Sequence, residues 1–136
     1  MARILVIDDK ADDRALLRRL LESRHHDVLE VTDGETALAS YREHPADLVL
    51  LDLELPKKGG SQTLIELVRE FPDVKILVTA RGGETISTRE YLDIAHDHGI
   101  VRALPKPFSV DHFLRAVRVM LEGGEWKRNS DDLEDS

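Results

Sequence analysis

Carboxylate side chains follow two apolar runs in the first half of the sequence. The run 48–51 ends at Asp52, and the run 3–7 ends at Asp8 and Asp9. A short continuous apolar run is typical of a strand that is buried on both faces of a sheet. A carboxylate at the end of such a strand lies where a parallel sheet presents groups to a ligand. We therefore interpret Asp52 as the reactive residue of the chain.

The chemistry of this acidic set points to a bound cation. Three carboxylates that converge on one cleft repel one another, and each resists ionisation unless a cation lies among them. Oxygen ligands suit Mg²⁺, with Mn²⁺ as the alternative ion. The sequence contains no Cys, and no His follows these strands, which argues against a soft-metal site.

Two further polar residues are expected at the same edge of the sheet. Thr79 follows the fourth apolar run, and Lys106 follows the fifth. A cleft with acids, a hydroxyl and an ammonium fits a doubly charged, phosphate-like group on Asp52. In that arrangement Lys106 and the metal ion neutralise the oxygens, and Thr79 donates a hydrogen bond.

The elements that position these residues alternate between strands and helices. Strands are predicted at 3–7, 28–31, 48–51, 74–78 and 100–104, and helices at 12–22 and after caps at Asp33, Ser61, Ser87 and Ser109. Five such alternations favour an α/β fold, a (βα)5 flavodoxin-like three-layer sandwich whose parallel sheet has the order 2-1-3-4-5. Strands one and three are neighbours in that order, so their terminal carboxylates meet. The first helix carries leucines that we predict to be core rather than a partner face: Leu16, Leu17, Leu20 and Leu21.

Length and charge limit the other possibilities. The chain has 136 residues and a net charge of -8, which predicts one domain over 1–122 and an acidic, disordered tail over 123–136. The negative charge argues against direct nucleic-acid binding. No apolar stretch approaches the roughly 20 residues that span a membrane, so we expect a cytoplasmic protein without membrane insertion. Self-association into a homodimer stays open.

Four motifs at the ends of successive strands carry a family resemblance. They are Asp8-Asp9, Asp52 with Pro56 and Gly60 behind it, Thr79-Ala80 and Lys106-Pro107-Phe108. In this order they resemble the response-regulator receiver domain (CheY-like) of two-component signalling, over about residues 3–121. Each motif alone is weak, whereas the ordered set is highly specific.

The resemblance implies a role for each acidic residue. Asp52 would accept a phosphoryl group from a phosphohistidine of a histidine kinase or a histidine phosphotransfer protein. Asp9 and Asp52 would ligate Mg²⁺ directly, Asp8 through a water molecule, and Glu54 through its backbone carbonyl.

The resemblance also implies roles for the remaining motifs. Lys106 would pair with the phosphate, and its bond to Pro107 would be cis. Thr79, followed by Ala80, would move toward the phosphate and carry the signal outward to a downstream protein target.

Three features depart from the family pattern. Ala103 occupies a position that is usually Tyr or Phe, so we expect signalling through the fifth strand to be altered. The segment 79–99 is longer than usual, and its extra length includes the loop 81–84. Glu54 and Arg81 would border the path of attacking water, and we predict that they pair and slow hydrolysis of the phosphoaspartate.

The leading hypothesis is a stand-alone phosphoacceptor receiver, a signalling switch that catalyses only its own phosphorylation and dephosphorylation. The first alternative is a Mg²⁺-dependent phosphatase with an Asp nucleophile. The second alternative is a phosphorylation-independent interaction scaffold on the receiver fold.

Overall fold

Five parallel strands form the centre of the structure, which is a computed structural model that describes residues 1–56, 59–81 and 101–123. The strands are β1 (Arg3–Ile7), β2 (Asp27–Val31), β3 (Leu48–Asp52), β4 (Ile76–Arg81) and β5 (Val101–Lys106). Their order in the sheet is β2-β1-β3-β4-β5, and every neighbouring pair is parallel. This order confirms the predicted fold.

Helices cover both faces of the sheet. The described helices are α1 (Ala11–Glu22), α2 (Gly34–Glu43), α3 (Gly60–Glu70) and α4 (Val110–Leu121). The helix predicted after Ser87 and the tail beyond residue 123 lie outside the described residues. Each described helix is too short or too polar to cross a lipid bilayer.

The core has two parts because alternate residues of a strand point to opposite faces of the sheet. In β3, Val49 and Leu51 pack with the buried side chains of α2 and α3. Leu48 and Leu50 pack on the other face with those of α1 and α4. All five residues of β3 are buried, so the strand that ends at Asp52 is enclosed on both sides.

Two of the predicted helix caps are confirmed. The Thr36 amide donates a hydrogen bond of 2.8 Å to Asp33 Oδ1 at the start of α2. The His112 amide donates one of 3.0 Å to Ser109 Oγ at the start of α4. Both side chains satisfy a backbone amide that has no partner inside the helix.

The predicted cap at Ser61 is wrong. Helix α3 begins at Gly60, and Gly59 occupies the cap position with a φ of 83°. The helix begins early because the Gly60 amide donates a hydrogen bond of 3.2 Å to the Leu53 carbonyl. A Cβ on Gly60 would lie 2.5 Å from that carbonyl oxygen, so only glycine allows this close approach.

Strands β4 and β5 end later than predicted. The ladder continues past the apolar runs, pairing Ala80 with Pro105 and Arg81 with Lys106. Backbone hydrogen bonds form regardless of side-chain polarity, so the apolar pattern underestimates both strands. Lys106 is therefore the last residue of β5 rather than the residue after it.

The leucines of α1 do not all lie in the core. Leu17 and Leu21 are buried, and Leu20 is partly buried. Leu16 is 48% exposed, which contradicts its prediction as core. Neighbouring helix positions are rotated by about 100° from each other, so residues four apart share the sheet-facing side.

Candidate functional site

The two acidic strand ends meet at the carboxyl edge of the sheet. Ile7 and Leu51 are opposite each other in the β1–β3 register, which places Asp8 beside Asp52. Both side chains are buried, whereas Asp9 is exposed. One carboxylate oxygen from each of the three residues lies within 4.8 Å of the others.

Asp52 is held as a carboxylate by its surroundings. Its Oδ1 accepts a hydrogen bond of 2.9 Å from the Glu54 amide, and its Oδ2 lies 3.4 Å from Lys106 Nζ. Burial alone would raise the pKa of Asp52, but hydrogen bonds from Lys10 and Glu54 and the two lysine charges outweigh it and lower the pKa. Asp52 is therefore ionised at neutral pH and available as a nucleophile.

Lys10 lies inside the acidic cluster, although the sequence reasoning did not select it. Its Nζ is 3.0 Å from Asp9 Oδ1 and 3.3 Å from Asp8 Oδ1. The same nitrogen contacts Asp52 Oδ2 and donates a hydrogen bond of 3.4 Å to the Glu54 carbonyl. Burial would lower the pKa of Lys10, but the hydrogen bonds to Asp52 and Asp9 outweigh it and raise the pKa.

Asp8 is buried as deeply as Asp52. Burial raises its pKa, and the hydrogen bond of 2.8 Å that its Oδ1 accepts from the Lys10 amide partly offsets that effect. The Arg14 guanidinium donates a hydrogen bond of 2.8 Å to the Asp8 carbonyl and also pairs with Glu30 at 3.2 Å. These contacts tie the start of α1 to the ends of β1 and β2.

Thr79 and Lys106 reach the same edge from β4 and β5. Thr79 is buried and lies opposite Asp52 in the β3–β4 register. Lys106 Nζ is also 3.7 Å from Asp13 Oδ2. The Lys106–Pro107 peptide bond is cis, as predicted.

The predicted tuning residues are distributed around this edge. Ala80 is partly buried and Ala103 is exposed, with Ala103 opposite Val78 in the β4–β5 register. Glu54 Oε2 lies 3.9 Å from Lys10 Nζ. The side chain of Arg81 lies outside what the structure describes, so its pairing with Glu54 stays a prediction.

The donor set fits a hard divalent cation. Three carboxylates converge, and the Glu54 carbonyl faces the same ammonium group that they contact. Oxygen donors of this kind suit Mg²⁺, which typically keeps several water ligands beside one or two carboxylates. The described residues at this edge supply no sulfur or imidazole ligand.

An open cleft lies beside Asp8 and extends along α1. Its volume is about 440 Å³, and its lining comprises Asp8, Asp13, Leu16, Leu17, Thr79, Lys106, Pro107 and Phe108. The exposed Leu16 gives this cleft an apolar side next to the carboxylates. The cleft therefore reaches Asp8 and Thr79, the two residues that flank Asp52 in the sheet.

The chain resembles curated proteins along nearly its whole length. It is 34% identical over 134 residues to the transcriptional regulatory protein CpxR of Klebsiella pneumoniae, covering 98% of this chain and 55% of that protein. It is 35% identical over 123 residues to the transcriptional regulatory protein ResD of Bacillus subtilis, covering 88% of this chain and 48% of that protein. The chain thus spans about half the length of these relatives.

Solved structures and a family model agree with the fold. The crystal structure of a LuxR-family two-component response regulator from Aurantimonas matches with a TM-score of 0.79 and 26% identity, covering 99% of this chain and 94% of that chain. A CheY-like receiver domain protein from Methanospirillum hungatei shares the fold at a TM-score of 0.78 and 20% identity, covering 90% and 95%. The family model of the response regulator receiver domain matches residues 4–118. The chain therefore belongs to the response regulator receiver domain family of two-component signalling.

Proposed function

We propose that Asp52 is the phosphoryl acceptor and that the donor is a phosphohistidine of a histidine kinase or a histidine phosphotransfer protein. Receiver domains receive phosphoryl groups from histidine kinases and are signalling switches rather than classical enzymes. One observation carries the assignment. Asp52 is a buried, ionised carboxylate with an ammonium group, that of Lys106, 3.4 Å from its Oδ2.

The transfer needs little covalent chemistry from the protein. A carboxylate oxygen of Asp52 attacks phosphorus, the P–N bond breaks, and the imidazole leaves with the electron pair. Lys106 neutralises charge on the phosphoryl oxygens, and the Thr79 hydroxyl donates a hydrogen bond to one of them. Both residues lie near the ends of their strands, at the edge of the sheet where Asp52 lies.

The acidic cluster would hold Mg²⁺ or Mn²⁺. Asp9 and Asp52 are the proposed direct ligands, with Asp8 acting through water and Glu54 through its carbonyl. When bound, the ion neutralises negative charge on the transferring phosphoryl group.

The hydrogen bonds that a phosphoryl group would form at this edge are strong enough to shift a two-state conformational equilibrium. Changing a two-state equilibrium from 1:99 to 99:1 needs about 5.5 kcal/mol, and hydrogen bonds to charged groups contribute about 1.5–3 kcal/mol each. Bonds from Thr79, Lys106 and nearby amides are of that order. The output is a changed protein surface that binds a downstream target in the cytoplasm, whether that target is a separate protein or lies on the same polypeptide.

The cleft beside Asp8 is the proposed entry for the donor protein. Leu16 lines it and is 48% exposed, and Phe108 and Pro107 line it as well. Leu16→Glu should slow phosphorylation by a phosphorylated histidine phosphotransfer protein, because it places a charge on an apolar docking surface. The same variant should react normally with acetyl phosphate, which needs no docking surface.

Labelling with a small donor tests the acceptor assignment. Incubation with Mg²⁺ and acetyl phosphate should add one phosphoryl group, seen by intact mass after an acid quench. Asp52→Ala should show no gain. Asp73→Ala, the same change at an exposed turn outside the cluster, should be labelled normally. Labelling retained in Asp52→Ala would refute the assignment.

A phosphorylation-independent scaffold is the second candidate. Ala103, where the family usually has an aromatic residue, is exposed, which weakens one route by which phosphorylation would reach β5. Partner binding that is equal in wild type, phosphorylated wild type and Asp52→Ala would favour the scaffold. The phosphatase alternative requires multiple turnovers on phosphate monoesters, which the same preparations can test.

A further inference from the structure

The Lys10 ammonium occupies the centre of the acidic cluster. Its Nζ lies 3.0 Å from Asp9 and 3.3 Å from Asp8, and it contacts Asp52 Oδ2. It also donates to the Glu54 carbonyl at 3.4 Å. These are the four residues proposed to hold the divalent cation, so one amino group contacts an oxygen of each of them.

The backbone of Lys10 is fixed, but its side chain has room to leave. The Lys10 amide donates a hydrogen bond of 2.8 Å to Asp8 Oδ1, and the residue is the N-cap of α1. The side chain is 31% exposed, so the cluster is open to solvent on the side from which it enters. A flexible four-carbon stem can move the ammonium into solvent without moving the backbone.

Lys106 is placed differently. Its Nζ lies 3.4 Å from Asp52 Oδ2 and 3.7 Å from Asp13 Oδ2, and its side chain is 15% exposed. The Lys106 ammonium therefore lies at the border of the cluster, on the side of β5. It does not need to move when a cation binds to the carboxylates. Only Lys10, among the lysines that the structure describes, is bonded to the Glu54 carbonyl as well as to the three carboxylates.

The geometry points to Lys10 as an internal competitor of the divalent cation, an inference that rests on the proposed function. The ammonium stabilises the acidic cluster in the metal-free protein, and it must withdraw before a metal ion can use the same oxygens. Two positive charges at one site repel each other, so the lysine weakens metal binding. Acceptance of the phosphoryl group then needs a higher divalent cation concentration than the same cluster would need without the lysine.

Metal affinity is the direct test. Lys10→Met removes the charge and keeps a flexible apolar stem, and Mg²⁺ binding can be measured by isothermal titration calorimetry. The variant should bind Mg²⁺ about 10- to 100-fold more tightly than wild type, the range over which neighbouring groups usually change metal affinity. Lys10→Arg, which keeps the positive charge, should not show this gain in affinity, because a cation still competes for the same oxygens.

A second lysine provides the matched control. Lys75 lies just before β4 at the opposite edge of the sheet, where its Nζ donates to the Met120 carbonyl at 3.1 Å. Lys75→Met changes the net charge by the same amount but should leave Mg²⁺ affinity unchanged. Equal affinity in wild type and Lys10→Met would overturn the inference.

Melting temperature separates competition from a merely structural role. In EDTA, Lys10→Met should melt below wild type, because its carboxylates have lost their nearest cation. In saturating Mg²⁺ the difference should disappear, whereas a structural role would lower both values. A difference that persists in Mg²⁺ would therefore contradict competition.

The outcomes distinguish this inference from the proposed function. If wild type is not labelled by acetyl phosphate, the acceptor assignment fails, but Mg²⁺ binding that appears only in Lys10→Met still supports competition. If neither protein binds Mg²⁺, the competition inference is overturned.

Discussion

Replacing Gly60 with alanine should damage both the fold and the site. The added Cβ would lie 2.5 Å from the Leu53 carbonyl oxygen and 2.6 Å from its carbonyl carbon. Nonbonded carbon atoms stay about 3.5–4.0 Å apart, so the backbone must move by roughly 1 Å. Overpacking usually costs about 1–3 kcal/mol. We expect the upper end of this range, because the clash is with backbone that cannot rotate away.

The backbone that must move adjoins the acceptor. Leu53 follows Asp52, and its amide donates a hydrogen bond of 3.0 Å to the Thr79 carbonyl. Displacement of Leu53 therefore also displaces the Glu54 amide that holds Asp52 Oδ1. The rate of labelling by acetyl phosphate should fall together with stability in Gly60→Ala.

Gly59 provides the comparison. It has a φ of 83°, and a Cβ there would have no neighbour within 4 Å. Gly59→Ala should cost about 1–3 kcal/mol from backbone strain alone, because its φ of 83° and ψ of 158° lie in a region that is essentially confined to glycine, and it should leave the labelling rate nearly unchanged. Urea unfolding measures the stabilities. The reasoning is refuted if Gly60→Ala is no less stable than Gly59→Ala and is labelled at the wild-type rate.

Three further changes test other parts of the structure. The Ala2 amide donates a 3.2 Å hydrogen bond to His26 Nδ1, which requires a neutral ring, and burial lowers the pKa of His26 below 6.5. The unfolded state therefore binds the proton more readily than the folded state. The free energy of unfolding should decrease as pH falls from about 7.5 to about 6. It should decrease less over the same range in His26→Gln. Asp33→Ala should lose about 1 kcal/mol in urea unfolding because α2 loses its cap, and Asp33→Asn should restore most of it. Phe113 is fully buried and stacks on a second ring at 5.4 Å, so Phe113→Ala should lose about 3–5 kcal/mol, and a loss below about 1 kcal/mol would contradict its place in the core.

The alternation of strands and helices could be predicted because the relevant signals are local and repeated, and the order of the strands then follows from the right-handed crossovers of parallel sheets. Apolar runs alternate with helical periodicity, and a buried run that stops at a carboxylate, as at Asp52, marks the functional edge of a parallel sheet. The caps at Asp33 and Ser109 follow from the same local chemistry. These features do not depend on which side-chain rotamers the folded protein adopts.

The position of Lys10 could not be predicted from such patterns. A lysine beside two aspartates looks like an ordinary solvated residue, and its place depends on the conformation of a long side chain. A useful signal would have been that Lys10 directly follows Asp9 in the sequence. A lysine side chain at that position is long enough to reach each ligand of the cluster. Leu16 was misassigned because an apolar residue in an amphipathic helix is not necessarily on the sheet-facing side.

The parallel ladder has a consequence for changes in chain length. Asp52 and Thr79 face each other because their strands pair in one register, and side chains alternate direction at every residue. Inserting one residue within β4 before Thr79 would place Val78 or the inserted residue opposite Asp52 and turn the hydroxyl toward the other side of the sheet. A connection at the opposite rim, such as the exposed turn at Pro72 and Asp73, could be lengthened without that exchange. Anyone transplanting this domain must therefore preserve the residue counts inside its strands, while the turns at the far rim tolerate redesign.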